Sequence, residues 1–566
     1  MDCMLPRTAT SVAILLACIV TPGLAQTLPS DRDVIQDRQQ QLLEDQRRRL
    51  EALKQLPGET ALPGRSGESA STVCFDVHEI RLAGVTLMPV KVQQALLTEF
   101  VGRCLGVEQI DEILQLITAF YLDRGYVTTR AYLPEQALGD GVLHVTVIEG
   151  MLEGLDSSAL ATDRELAMAF PGEAGALLNL RELEQLVDQM ARLPSRRVQL
   201  ELLPGDEVGG SRVRLQGERS KPWQAGLARH NDGQPHTGEQ QWEVSLLWDS
   251  PLGLGDQLRL RGGADAVSDQ WRHSAQQSLF YGVPYGWWTF GYSYSQSYYR
   301  TRTQAVGFSF TSDGESKRHQ FNAERVLHRD AVSRSAFSLG LAHLRTRNYI
   351  ESVLLDGSSH RLSELQFGLN HGRRLGSAFI NLDAGWQQGT GQFDAQDNGN
   401  PRSGQPVARY DKYSLTISYL QPFQFAGQAF SADSMLYGQR SEDVLFGPQR
   451  ISLGGLASVR GFKEQSLSGD SGFYWRNNLH WRHPIHTDWL RPLFNELRLS
   501  AGYDLGQIRS SRHNPGQSGR MTGNAVAMAL QGKHLAASLT FARSLDRPGA
   551  LQRDEHPIYF RLDAFF

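Results

Sequence analysis

The sequence predicts an α+β region followed by an all-β membrane barrel. Three observations predict it. The chain opens with an export signal, two similar strand–helix–helix–strand–strand patterns follow, and everything after them alternates apolar and polar residues singly, with many aromatics. The length of 566 residues accommodates three or four domains. The formal net charge of −4 excludes the basic balance of a nucleic-acid-binding protein.

Residues 1–25 read as a secretory signal peptide. Arg7 gives a basic start, residues 11–20 are mostly apolar, and Gly23-Leu24-Ala25 offers small residues for cleavage, so the mature chain is expected to begin at Gln26. Leu15-Leu16-Ala17-Cys18 resembles a lipoprotein cleavage site, but Ile19 and Val20 continue the apolar run. No later stretch holds ~18 consecutive apolar residues, so no transmembrane helix is expected. An exported chain can still enter a membrane as a barrel, which hydropathy hides. Of the four cysteines, Cys3 and Cys18 leave with the signal. Cys74 and Cys104 remain in an oxidising compartment and are expected to form a disulfide, the alternative being two reduced buried thiols.

Residues 26–56 contain a strong helix former at 31–54, in which Gln, Arg, Asp and Glu outnumber the apolar residues and leave no clear apolar face. Such a helix is either solvated or seated in a polar channel. Pro57 ends it, and residues 57–72 form a linker rich in Gly, Ser and Thr. Residues 73–150 and 151–217 are the two modules. In the first, residues 76–82 read as a strand, 90–101 and 107–124 as helices, and 127–132 and 142–147 as strands. Ile110, Ile113, Leu114, Ile117 and Tyr121 share one helix face, and Gly125 ends that helix. The second repeats the plan, with Leu180, Leu183, Leu186, Val187 and Met190 on one face.

Residues 218–566 form the third region. Trp242, Val244, Leu246 and Trp248 alternate with Glu243, Ser245 and Leu247; Leu497, Leu499, Ala501 and Tyr503 alternate with Arg498, Ser500, Gly502 and Asp504. One face is apolar with aromatic ends and the other is polar or small, as in a barrel with lipid outside and water within. At about 20 residues per strand and connection, the region holds roughly 16 strands. One long run departs from the pattern. Residues 445–472 contain Gly454-Gly455 and then Val459, Arg460, Gly461 and Phe462; a long loop carrying an arginine is more often functional than a tight turn.

Taken together, the chain resembles the two-partner secretion transporters, the TpsB family of outer-membrane proteins with POTRA domains. The residues that carry the resemblance are 125–136 (GYVTTRAYLPEQ), similar to a first-POTRA signature; Val147-Ile148-Glu149-Gly150, similar to the join between two POTRAs; Leu178-Asn179-Leu180-Arg181 and Arg192-Leu193-Pro194-Ser195, similar to second-POTRA motifs; and Val459-Arg460-Gly461-Phe462, similar to the tip of the loop after the eleventh strand. The resemblance implies a 16-stranded antiparallel barrel, an N-terminal plug helix, two periplasmic POTRA domains, and the 445–472 loop folded into the lumen. It implies that Arg460 pairs with an inner-wall aspartate, a position that Asp504 fits and that strand parity independently places on the polar face. It also implies that Phe566 is the signal read by the barrel-insertion machinery. Arg476-Asn477-Asn478 departs from the family's frequent Arg-Asn-Glu, leaving that glutamate's pairing open.

The implied function is passage of an unfolded, β-helical exoprotein of the TpsA type from periplasm to cell surface, with no nucleotide hydrolysis, cofactor or metal. No G-x-x-x-x-G-K-[ST] or zinc-ligand spacing is present. A rival enzyme reading rests on Gly469-Asp470-Ser471-Gly472, which looks like a serine-protease nucleophile motif but lacks a His/Asp framework. An outer-membrane assembly factor of the same superfamily is the main alternative; a passive porin with periplasmic adaptors is a weaker one.

Overall fold

The structure is a computed structural model. It describes residues 29–56, 58 and 74–566, apart from 158–159, 268, 306–307, 398–403, 512 and 514–515. The signal peptide and, except for Gly58, the 57–72 linker lie outside the described residues.

The last region is a closed antiparallel barrel of sixteen strands, running from Trp223–His230 to Ile558–Phe565. Closure comes from pairing of these two strands, with Arg561 opposite His230 and Phe565 opposite Gly226. The two-residue strand Val353–Leu354 only extends one hairpin beyond the wall. The period-two pattern sorts side chains as the pleat requires. Trp242, Val244 and Trp248 are exposed on the outside, while Asp504, Glu364 and Asn381 are buried within. At one end, two-residue turns such as Gly286-Trp287 and Ala426-Gly427 join strands; the connections at the other end include residues 231–240 and 441–471.

The first module packs helices Val90–Leu97 and Val107–Asp123 on a three-stranded sheet. In that sheet Val142–Ile148 lies between Glu79–Ala83, to which it is parallel, and Arg130–Tyr132. Ile113, Ile117, Tyr121, Leu143 and Val145 are fully buried in the shared core. The expected strand 76–82 is broken at His78. The backbone amides of His78 and Glu79 both donate to the Gly141 carbonyl, at 2.8 and 3.2 Å, which turns the chain. Cys74–Val77 then pairs with Arg103–Gly106 as a separate ribbon, and the Cys74–Cys104 disulfide ties it across 5.4 Å between Cα atoms. The expected strand 127–132 is likewise shortened to Arg130–Tyr132, because the preceding residues form a turn closed by the Thr129 amide on the Tyr126 carbonyl.

The second module carries helices Asp163–Ala169 and Leu180–Ala191 on the sheet Met151–Asp156, Gly210–Arg219, Arg196–Pro204. Both helices are capped at their N-termini by side chains. Thr162 and Glu165 form a capping box, and Asn179 accepts the Arg181 amide at 2.9 Å. The module's last strand runs on to Arg219 before the barrel begins.

Candidate functional site: the filled lumen

The connection between strands Gln428–Arg440 and Gly472–Pro484 folds into the barrel and makes a short hairpin, Ile451–Leu453 with Leu467–Gly469. Val459, Phe462, Leu453 and Leu467 are fully buried with Tyr474, Ile508 and Met521 of the wall, so the loop has an apolar core of its own. Arg460 lies at its tip. Its Nε and Nη2 donate to the Asp504 carboxylate at 2.7 and 2.6 Å, and its backbone amide adds a third bond at 3.0 Å. Asp504 is 0 % exposed, so the pair is desolvated and bidentate, the geometry in which an ion pair is strongest.

Two glycines make this approach possible. A Cβ on Gly461 would lie 2.5 Å from the Arg543 carbonyl oxygen, and one on Gly502 would lie 2.3 Å from Arg460 Nη2. Beyond the tip, Glu555 accepts the backbone amides of Lys463, Glu464 and Gln465 at 2.6 to 2.9 Å, and Tyr559 donates to the Arg460 carbonyl at 3.0 Å. Sequence reasoning missed Glu555. It lies in a connection, where no strand parity marks a residue as inward.

Helix Pro29–Leu53 threads the lumen beside this loop. Its 25 residues span about 37 Å, enough to cross the barrel. The expected absence of a continuous apolar stripe holds, yet its few apolar residues are grouped. Leu42 and Leu43 pack on the loop core, and Leu50, Leu53 and the following Leu56 pack on Phe379 and Leu420. Between these anchors the contacts are polar. Glu44 accepts both terminal nitrogens of Arg261 at 3.0 and 3.1 Å, and Arg49 donates to Glu324 at 2.8 Å. Gln46 donates to Asp383 and accepts from Ser418 and Asn381. Toward the helix start, Arg32 donates to the Lys463 carbonyl at 2.8 Å and Gln39 to that of Ser452 at 2.8 Å, tying helix to loop.

The second module seats on the short-turn end of the barrel through helix Leu180–Ala191. Asp188 and Glu184 bind Arg329, and Gln189 donates to the Trp288 carbonyl at 3.2 Å. The two modules meet where the Leu180 amide donates to the Gly125 carbonyl at 2.8 Å and Asn179 Nδ2 to that of Arg124 at 3.2 Å. Within the first module, Glu149 accepts from Tyr121 Oη at 2.6 Å, from the Thr86 and Leu87 amides at 2.8 and 3.2 Å, and from the Thr86 hydroxyl. Burial pushes the Glu149 carboxyl up, but these hydrogen bonds outweigh it and hold the group below the usual glutamate range. Burial, and then the bond to Glu149, push the Tyr121 hydroxyl well up.

The remaining predicted residues are placed as follows. Phe566 is exposed on the outer face, its backbone paired with Ala225 of the first barrel strand. The Asp470-Ser471 pair closes the base of the loop: Asp470 binds Arg450, and Ser471 donates to the Ser441 carbonyl, so neither is arranged for nucleophilic chemistry. Asn478 donates to Asp433 on the neighbouring strand at 2.8 Å, and Asp433 in turn binds His480, so this strand pair carries its carboxylate on the partner strand. Among the described residues no cluster of His, Cys, Asp and Glu is disposed to hold a metal.

Residues 209–530 match the family described as haemolysin secretion/activation protein ShlB/FhaC/HecB. Residues 75–150 match the ShlB-type POTRA domain, and 148–204 match a POTRA domain. The outer membrane transporter CdiB of Dickeya dadantii is 33% identical over 539 residues, covering 95% of each chain. The hemolysin transporter protein ShlB of Serratia marcescens is 28% identical over 519 residues, covering 89% of this chain and 90% of its own. The structure of CdiB from Escherichia coli superposes with a TM-score of 0.90 at 32% identity, covering 95% of this chain and 99% of that one. The chain therefore belongs to the ShlB/FhaC/HecB family of two-partner secretion transporters: a barrel in the outer membrane with POTRA domains in the periplasm.

Proposed function

We propose that the two POTRA domains bind an unfolded partner exoprotein in the periplasm, that helix Pro29–Leu53 leaves the lumen, and that the exoprotein then passes through and folds outside. Nucleotide hydrolysis takes no part; folding outside, as a β-helix, supplies the direction. The sheets leave edge strands at Glu79–Ala83 and Arg196–Pro204, and an extended segment adds to such an edge through main-chain hydrogen bonds. Phe566 acts earlier, as the signal for insertion of the barrel.

The observation that carries this reading is the way the lumen is filled. Most helix contacts are part-exposed polar pairs worth about 0–1 kcal/mol each, which suits a reversible plug. The loop, by contrast, is held by a buried bidentate pair and a dry core. We assign Arg460 and Asp504 to holding the loop in the conformation that lets cargo pass.

Secretion of a co-expressed partner exoprotein by wild type, Arg460→Ala and Asp504→Ala tests this, with barrel insertion checked by heat-modifiability. Loss of secretion from both variants with barrels inserted is the expected result. Normal secretion from both would reduce the 445–472 segment to a surface loop in function. A general fall in outer-membrane protein levels without the transporter would favour the assembly-factor reading.

A further inference from the structure

The outer wall carries a row of cations where the lipid-facing band ends. On three adjacent strands, Phe308–Arg329, Ser333–Ile350 and His360–Leu375, the outward residues follow in register. Phe321, Leu341 and Leu365 form one row, His319, His343 and Ser363 the next, and Lys317, Arg345 and Arg361 the one after. The inward neighbours Arg318, Leu344 and Leu362 confirm the parity, since all three are largely buried.

Lys317 lies twelve positions from Arg329, which binds the second POTRA at the periplasmic end. At ~3.3 Å per residue and a tilt of ~40°, that separation is about 30 Å along the membrane normal, just past a lipid-facing band about 25 Å tall. The row therefore sits at the headgroup level of the outer leaflet. Tyr292 and Tyr294, beside His319, mark the same level in the way interfacial aromatics do.

Like charges directly opposite one another on neighbouring strands are destabilising. The flanking members of the row are compensated within the protein: Lys317 pairs with Glu315 at 2.7 Å and Arg361 with Asp394 at 2.5 Å. Arg345, between them, is exposed, and neither it nor Arg347 two positions along has a hydrogen-bond or ion-pair partner among the described residues. The row thus has an uncompensated cation at its centre, on the outer face of the barrel.

We propose that Arg345, flanked by Lys317 and Arg361, binds the phosphate groups of the phosphorylated glycolipid of the outer leaflet, with its acyl chains against the Phe321–Leu341–Leu365 row. An arginine fork takes a phosphate through two parallel hydrogen bonds, and a lysine adds a point charge. Such a site fastens this side of the barrel to the leaflet that the exoprotein leaves across.

The test uses the full-length protein in phosphatidylcholine nanodiscs, with and without lipopolysaccharide, and reads the barrel's unfolding midpoint. Lipopolysaccharide raises the wild-type midpoint by about 2–4 °C. The rise is lost in Arg345→Gln, kept in Arg345→Lys, and absent both with enzymatically dephosphorylated lipopolysaccharide and with millimolar inorganic phosphate alone. Equal shifts in wild type and Arg345→Gln, or an equal shift with the dephosphorylated lipid, would overturn the proposal. A full shift with inorganic phosphate alone would overturn the lipid as the source. Should Arg345→Gln fail to insert, the dephosphorylated-lipid arm on wild type decides the matter.

Discussion

Arg49 of the lumen helix and Glu324 of the barrel wall lie 2.8 Å apart, and this contact is one step of a charged path. Glu324 lies 3.8 Å from Arg334, and Arg334 lies 3.5 Å from Asp188 on the second POTRA. A shift of that POTRA on the barrel would change the charge facing the helix, so the path links the seat of the second POTRA to the lumen helix.

Weakening the path should loosen the plug without harming the barrel. Arg49→Gln removes a part-exposed pair worth about 1 kcal/mol, which is about fivefold in the closed-to-open ratio. More frequent large-conductance openings in planar bilayers, with normal heat-modifiability, are expected. Unchanged conductance would mean that the helix is held elsewhere.

The loop-tip pair should behave as a coupled unit. Removing one partner of a buried pair leaves the other unpaired, at about 3–5 kcal/mol. Arg460→Ala and Asp504→Ala should each expose the 445–472 segment to protease, and the double variant should be no more exposed than either single one. Simple additivity would show that the two residues act independently. Gly461→Ala should mimic the single variants, since its Cβ would strike the Arg543 backbone.

Much of this was legible in the residues. Parity along 497–504 put Asp504 on the inner face before any partner was known, and the structure brings Arg460 to it. The helix was legible as a polar helix, but its partners Glu324, Asp383 and Arg261 were not, because a single sequence carries no register between a helix and the wall around it. The strand break at His78 was hidden for a similar reason: it depends on Gly141, 63 residues away, supplying one carbonyl to two amides. Part of the seating of the second POTRA rests on backbone carbonyls at Gly286 and Trp288, which the side-chain pattern does not register.

The disulfide should stabilise the first POTRA alone. It closes a 30-residue separation, worth roughly 3–4 kcal/mol on a chain-entropy estimate. Cys74→Ser with Cys104→Ser should lower the first POTRA's unfolding midpoint by calorimetry and leave barrel migration on semi-native gels unchanged. An unchanged POTRA transition would contradict this.

Glu149 should make the first POTRA acid-sensitive. The folded carboxyl titrates below its unfolded range, so its contribution is present above the unfolded pKa and is lost as pH falls through the folded one. The first POTRA's unfolding midpoint should therefore fall as pH drops below the usual glutamate range. Glu149→Gln should flatten that dependence; an identical pH profile would show that other groups set it.

The central claim is that the helix must leave for cargo to pass, and a cysteine lock tests it most directly. Gln46 and Ser418 are joined by a 2.8 Å hydrogen bond across the lumen contact. Gln46→Cys with Ser418→Cys, oxidised to a disulfide, should abolish exoprotein secretion, while each single-cysteine variant secretes normally and all three barrels insert. Secretion at the wild-type rate by the fully cross-linked protein would contradict the account.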